Sequence, residues 1–115
     1  MQINRDDKGA TDELRQAQRL QLRRPAQIKD KDITLMYAIT TDISNGGLGL
    51  MAPNPMREGQ TLAIAFDVRD DGKMKTVSIG GTVTHCAKDP RGYKAGVRMV
   101  EIHPGSLDVI KNLTQ

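Results

Sequence analysis

Aromatic residues are almost missing from this 115-residue chain, which has no tryptophan, two tyrosines and one phenylalanine. Surfaces that bind single-stranded nucleic acid commonly offer exposed rings on which bases stack, so the scarcity argues against an RNA- or DNA-binding barrel. Cysteine occurs once, at Cys86, which excludes an intramolecular disulfide and suggests a buried apolar thiol. His85 and His103 stand far apart, so no cluster has zinc-ligand spacing. No apolar run approaches the roughly 20 residues that cross a bilayer, and "MQINRDDKG" lacks the basic-then-apolar order of a secretory signal. A soluble, cytoplasmic chain without membrane insertion is expected. Catalysis has little support either, because neither histidine has an evident acid-base partner, and His85 and Cys86, as strand neighbours, would point to opposite faces. No enzyme activity, catalytic residue, metal or cofactor is expected.

What the chain does have is unevenly placed arginine. Lysine and arginine total 17 against 14 acids, a net charge of only +3. Within "LRQAQRLQLRRP", however, Arg15, Arg19, Arg23 and Arg24 gather just before Pro25, with no acid after Glu13 to neutralise them. Such a patch suits a phosphorylated partner, although the same charges would serve as the solvated end of a helix. Residues 1–14 are polar, lack a periodic apolar face and are expected to form a flexible tail ahead of a single domain over residues 15–115. A short helix can run from Asp12 to Leu22, capped by Thr11 or Asp12 and ended by Pro25.

Beyond Pro25 the hydrophobic period changes to two. "AQIKD", "ITLMYAITT", "GLGLMA", "QTLAIAFDV", "KTVSIGGTVTHCA" and "GYKAGVRMVEI" read as six strands. The connections "KDKD", "APNPMREGQ", "RDDGKMK" and "KDPRGY" carry turn residues. The pattern predicts a small antiparallel barrel or sandwich. Val77, Ile79, Gly81 and Val83 would share one face, and the Gly80-Gly81 pair suggests a bulge or sharp bend. After Pro104, "GSLDVIKNLTQ" places Leu107, Ile110 and Val109 or Leu113 at helical spacing, as a closing C-terminal helix would. Met36, Met51, Met74 and Met99 read as core filler, Arg98 as an outward strand residue, and "QTLAIAF" as a free edge that could support a homodimer.

The richest turn chemistry lies in "TTDISNGGLGLMA", from Thr40 to Ala52. Asp42 and Ser44 stand two apart and so project to one side of an extended segment, while Gly46, Gly47 and Gly49 let another group approach the backbone. Alone, this is also an ordinary hairpin in which Asp42 and Asn45 brace the turn. The arginines upstream supply a second element. Arg19 and Arg23 form Arg-x-x-x-Arg, and Asp42, Ser44 and Gly47 form Asp-x-Ser-x-x-Gly nineteen positions later (42 − 23).

In these two motifs the chain resembles the PilZ domain family, bacterial receptors for cyclic di-GMP. The likeness extends through "DISNGGLGLMAPNPMREGQTLAIAF" and "YKAGVRMVEI". It implies a mainly β fold, a six-stranded antiparallel PilZ-type β-barrel with a C-terminal helix and a flexible N-terminal arm. It also implies a ligand, cyclic di-GMP, held by Arg19, Arg23, Asp42, Ser44 and Gly47, with Arg24, Arg15, Asn45 and Gly46 as further candidates. Arg15-x-x-x-Arg19 is a second register of the arginine motif, but Arg19/Arg23 lies beside the first strand, where the resemblance puts it. The ligand's two phosphates and two guanines suit the site, because a guanidinium can pair with guanine O6 and N7, bond a phosphate or stack on a base. The implied roles are Asp42 accepting from guanine N1–H and N2–H, Ser44 donating to a phosphate or ribose oxygen, and Gly47 keeping the surface clear. The implied function is a monomeric or homodimeric receptor that orders its arginine arm on the ligand and signals to a partner protein in motility, exopolysaccharide production or virulence. An adaptor that has lost ligand binding is the alternative, and a nucleic-acid-binding barrel a weaker one.

Overall fold

Apolar side chains at every second position give each strand one face to bury, and the chain meets that demand by rolling its strands into a ring. The structure, a computed structural model, describes residues 19–30 and 35–114. Its elements are β1 (Leu20–Gln21), β2 (Pro25–Asp30), β3 (Leu35–Ile43), β4 (Gly47–Ala52), β5 (Thr61–Asp70), β6 (Lys73–Asp89), β7 (Gly92–Ile102) and one helix, α1 (Pro104–Thr114). All strand pairs are antiparallel, and the order β3-β2-β5-β6-β7-β4 closes because β4 also pairs with β3. The result is the expected six-stranded barrel. Inside it Ala26 and Ile28 of β2, Leu48 and Leu50 of β4, Leu62, Ile64, Phe66 and Val68 of β5, and Val77, Ile79 and Val83 of β6 form the core.

Turn and bulge chemistry explains the ring's shape. Asp71 and Gly72, both at positive φ (55° and 77°), make the two-residue turn between the paired residues Asp70 and Lys73, the conformation an Asp-Gly dipeptide favours. The β6–β7 register slips between Gly80 and Gly81, where the extra residue is Val100 of β7 opposite the glycine pair, and it slips again between Val83 and His85. Extra residues of this kind bend a strand sharply enough to close a small barrel.

Several expectations are corrected. Leu20–Gln21 is strand, so a helix over Asp12–Leu22 does not reach its proposed end. "QTLAIAF" is no edge, because β5 pairs with both β2 and β6. Cys86 is only partly buried, its Sγ accepting from the Met56 amide at 3.5 Å. Met74 and Leu107 are exposed. The proposed tail over 1–14, Arg15 and half of the "KDKD" connection lie outside the described residues, while Lys29 and Asp30 belong to β2.

Helix α1 packs against β5 and β6 and puts Val109 and Ile110 into the core. Its attachment is polar as well, since Ser106 Oγ accepts from the Ser78 amide at 2.8 Å. Near its C-terminal end, Asn112 Nδ2 donates to Asp70 Oδ2 at 3.3 Å, and Lys75 Nζ donates to the same oxygen at 3.0 Å. The Lys75 bond, chiefly, holds the Asp70 carboxyl below its ordinary range despite some desolvation. The unfolded chain therefore binds this proton more readily than the folded one. The stabilising contribution is present at neutral pH and lost as pH falls below about 4. Melting temperatures measured from pH 7 to pH 3 should fall more steeply for the wild type than for Asp70→Asn, and parallel curves would remove Asp70 from the acid response.

Candidate functional site

The segment Thr40–Gly47 is shaped by one extra residue and one tight turn. Thr40 pairs with Leu50 and Asp42 with Gly49, so β3 bulges at Thr41. At the end of β3 the Ser44 amide donates to Gly47 O at 2.9 Å, and the Met99 amide pins Gly46 O to β7 at 2.9 Å. The bulge tips the Asp42 carboxylate across the neighbouring strand. A Cβ on Gly49 would stand 2.7 Å from Asp42 Oδ1 and would collide with Thr41 Oγ1, a buried hydroxyl with no hydrogen-bond partner among the described residues. Gly49→Ala should therefore displace Asp42 while leaving the barrel folded. A ligand-affinity loss of about tenfold with a small change in melting temperature is expected, because the atoms that must yield belong to two short side chains. Wild-type affinity in Gly49→Ala would show that the carboxylate position is unimportant.

The arginine arm lies along the same strand. Leu20 pairs with Ile43 and Gln21 with Asp42, and β2 continues on this edge from Pro25, opposite Ile39. Between them one residue too many is taken up at Leu22–Arg24, and the fully buried Thr40 fills the gap. Its Oγ1 accepts from the Arg24 amide at 2.8 Å and donates to Leu22 O. The arm is thereby held so that Arg19 Nη1 reaches Asp42 Oδ1 at 2.9 Å. Arg24 turns the other way, its Nε donating to Asp67 O on β5 at 2.6 Å. Arg23 is exposed and makes no hydrogen bond among the described residues.

Across β4 from Asp42 the trough continues. Gly49 pairs with Gly96 of β7, and Gly96 with His85 of β6. Lys94 and Arg98 flank Gly96 on the outward face of β7. These residues, with Arg19, Asp42, Ser44, Asn45, Gly46, Gly47 and Thr84, line one open cleft of about 820 Å³. Arg19, Lys94 and Arg98 face a single carboxylate there, that of Asp42, so the cleft suits an anionic ligand.

The cleft thus unites six of the candidate residues, Arg19, Asp42, Ser44, Asn45, Gly46 and Gly47, whereas Arg23 and Arg24 do not line it. Arg98 is outward as expected, yet it belongs to this cleft. Lys94, Gly96 and Arg98 alternate in "YKAGVRM", so a shared outward face is readable there, but nothing in that run says which strand lies beside it. Among the described residues, no group of three or more His, Cys, Asp and Glu side chains could hold a metal ion, and no helix is long and apolar enough to cross a membrane.

The family model described as PilZ domain matches residues 13–115. The chain also superposes on the inhibitor of motility MotI/DgrA of Bacillus subtilis with a TM-score of 0.69 and 17% identity, covering 80% of this chain and 45% of that one. This chain therefore spans less than half the length of that protein. The PilZ domain of YcgR from Escherichia coli, solved with c-di-GMP, aligns with a TM-score of 0.63 and 14% identity over 84% of this chain and 85% of that one. The PilZ domain of CeSA from a cellulose-synthesizing bacterium aligns at 0.57 and 13%, over 84% and 93%. No curated protein matches the chain significantly.

Proposed function

Because the chain belongs to the PilZ domain family, we propose that it is a cyclic di-GMP receptor whose ligand sits in the cleft between the arginine arm and β7. The observation that carries this reading is the cleft itself, where three cations, one carboxylate and a serine hydroxyl gather beside the open Gly46-Gly47 turn. Two phosphates need the cations, a guanine edge needs the carboxylate, and the turn glycines keep their part of the surface clear of side chains.

In the free protein two of the proposed ligand groups satisfy each other. Arg19 and Asp42 are bonded, and their side chains are 48% and 23% exposed. An ion pair this wet is worth only about 0–1 kcal/mol, so a ligand can exchange it cheaply. Asp42 would then accept from guanine N1–H and N2–H, while the released guanidinium turns to a phosphate or to O6 and N7. Ser44, in the adjacent turn, donates to a phosphate or ribose oxygen. Arg23, solvent-facing, closes from the arm's outer side.

The signal to a partner follows from the same rearrangement. Leu35, Tyr37 and Ile39, on the outward side of β3, are 45%, 60% and 43% exposed. They share a strand with Asp42, so arm and ligand together would change the surface beside an apolar strip that a protein partner can cover.

Isothermal titration calorimetry of the purified chain with cyclic di-GMP, using GTP and a short single-stranded RNA as controls, tests the proposal. Saturable, selective heat for cyclic di-GMP is expected. A folded chain that gives no heat would leave the adaptor reading, and binding of RNA alone would move the function to another class.

A further inference from the structure

Building on the cyclic di-GMP reading, we propose that the β6–β7 side of the cleft is a base-binding shelf, with a guanine stacking on the outer face of the His85 ring, which itself covers Gly96. The argument begins with the second register slip of β6. Val83 pairs with Val97 and His85 with Gly96, so Thr84 is the extra residue, and consecutive residues Thr84 and His85 both face solvent. A bulge is a device for re-aiming a side chain, and bulges concentrate beside functional sites. This one mirrors the bulge at Thr41. One lies on each side of the β4–β7 pair, and together they direct Asp42 and His85 over two directly paired glycines.

The tilt is visible in what those glycines exclude. A Cβ on Gly49 would meet the Asp42 carboxylate, and a Cβ on Gly96 would collide with the tip of the His85 ring, with Nδ1 at 2.8 Å and Nε2 at 2.9 Å. Thr84 keeps the ring there. Its hydroxyl donates to Gly96 O at 3.1 Å and lies 3.3 Å from His85 Nδ1. With the hydroxyl proton given to Gly96, the oxygen accepts from Nδ1–H, which makes Thr84 a positioning residue for the imidazole. Because the Asp42 carboxylate and the His85 ring already cover the two paired glycines, a base meets this side of the cleft on the outer face of the imidazole. Bases are held by rings of this kind in nucleic-acid readers, and histidine is among them. In a chain with so few aromatics, His85 is the ring that the cleft offers.

Calorimetric titration of cyclic di-GMP into the wild type, His85→Ala, His85→Phe and Gly96→Ala tests the shelf, with circular dichroism melts to establish folding. His85→Ala should bind roughly tenfold more weakly, and His85→Phe, which keeps a ring, should bind within about threefold of the wild type. Gly96→Ala should lose about as much as His85→Ala, because its methyl would collide with the imidazole and drive the ring aside. Wild-type affinity in His85→Ala, or equal losses in His85→Ala and His85→Phe, would overturn the shelf while leaving the receptor reading intact. No binding by the wild type would overturn that reading, and the shelf with it.

Discussion

Arg19→Ala should weaken cyclic di-GMP binding by roughly a hundredfold or more, about 3 kcal/mol, and leave the melting temperature within a few degrees of wild type. The two halves of this expectation have different origins. Arg19 is one of three cations in the cleft, and the others, Lys94 and Arg98, lie on β7. Without Arg19 no cation of the arm lines the cleft among the described residues, and Arg23 alone would have to reach in from the outer side. Stability, by contrast, depends little on it, since its bond to Asp42 lies in a solvent-exposed gap. Calorimetry and a thermal melt on the same sample separate the two. Undiminished affinity in Arg19→Ala would remove it from the site, and a large drop in melting temperature would mean that the arm is part of the folding unit.

Thr40→Val should have the second largest effect, and here stability and binding should fall together. Valine matches threonine in shape but cannot bond the Arg24 amide or Leu22 O, the two groups that Thr40 Oγ1 satisfies at the bulge in the arm. Leaving them unpaired at a fully buried position costs about 1–3 kcal/mol. For a domain of this size that is on the order of 5–15 °C in melting temperature. The Arg24 carbonyl still accepts from the Thr40 amide at 2.9 Å, so β2 should keep its register while the segment ahead of it loosens. Affinity should drop with it, because Arg19 is aimed by that segment. An unchanged melting curve would show that the arm is held by other means.

The barrel was legible in the sequence because its strands alternate and its turns are chemically explicit. The Asp71-Gly72 turn appears where residue type alone puts it, and a bulge falls beside Gly80-Gly81, although its extra residue, Val100, is on the facing strand. The arm was not legible, and the reason is tertiary. "LRQAQRLQL" has good helix formers, but the edge of β3 from Thr40 to Ile43 offers backbone groups that Leu20–Leu22 can bond, and that pairing outweighs local propensity. The site divides in the same way. Asp42, Ser44 and Gly47 are close in sequence and form one turn, so a motif can carry them. Gly49 and Gly96 meet across 47 positions (96 − 49), and His85 reaches them through an inserted Thr84 that no composition rule marks. Met74 failed as core filler for a simpler reason, since it lies beside the tight Asp71-Gly72 turn, where the hairpin runs out into solvent.

Closure of the ring bears on how such a molecule can carry a message. Each barrel strand is bonded on both sides, so no strand can peel away or slide without breaking a neighbour's ladder. The ring works as an anvil, and whatever lands on it can reshape only what is attached outside. Ordering entropy on binding then falls almost entirely on the arm and the cleft side chains. Amide hydrogens within the barrel should exchange equally slowly with or without a guest, while those of Leu20–Arg24 register its arrival. Such a separation leaves the arm's sequence free to change without disturbing the foundation it rests on.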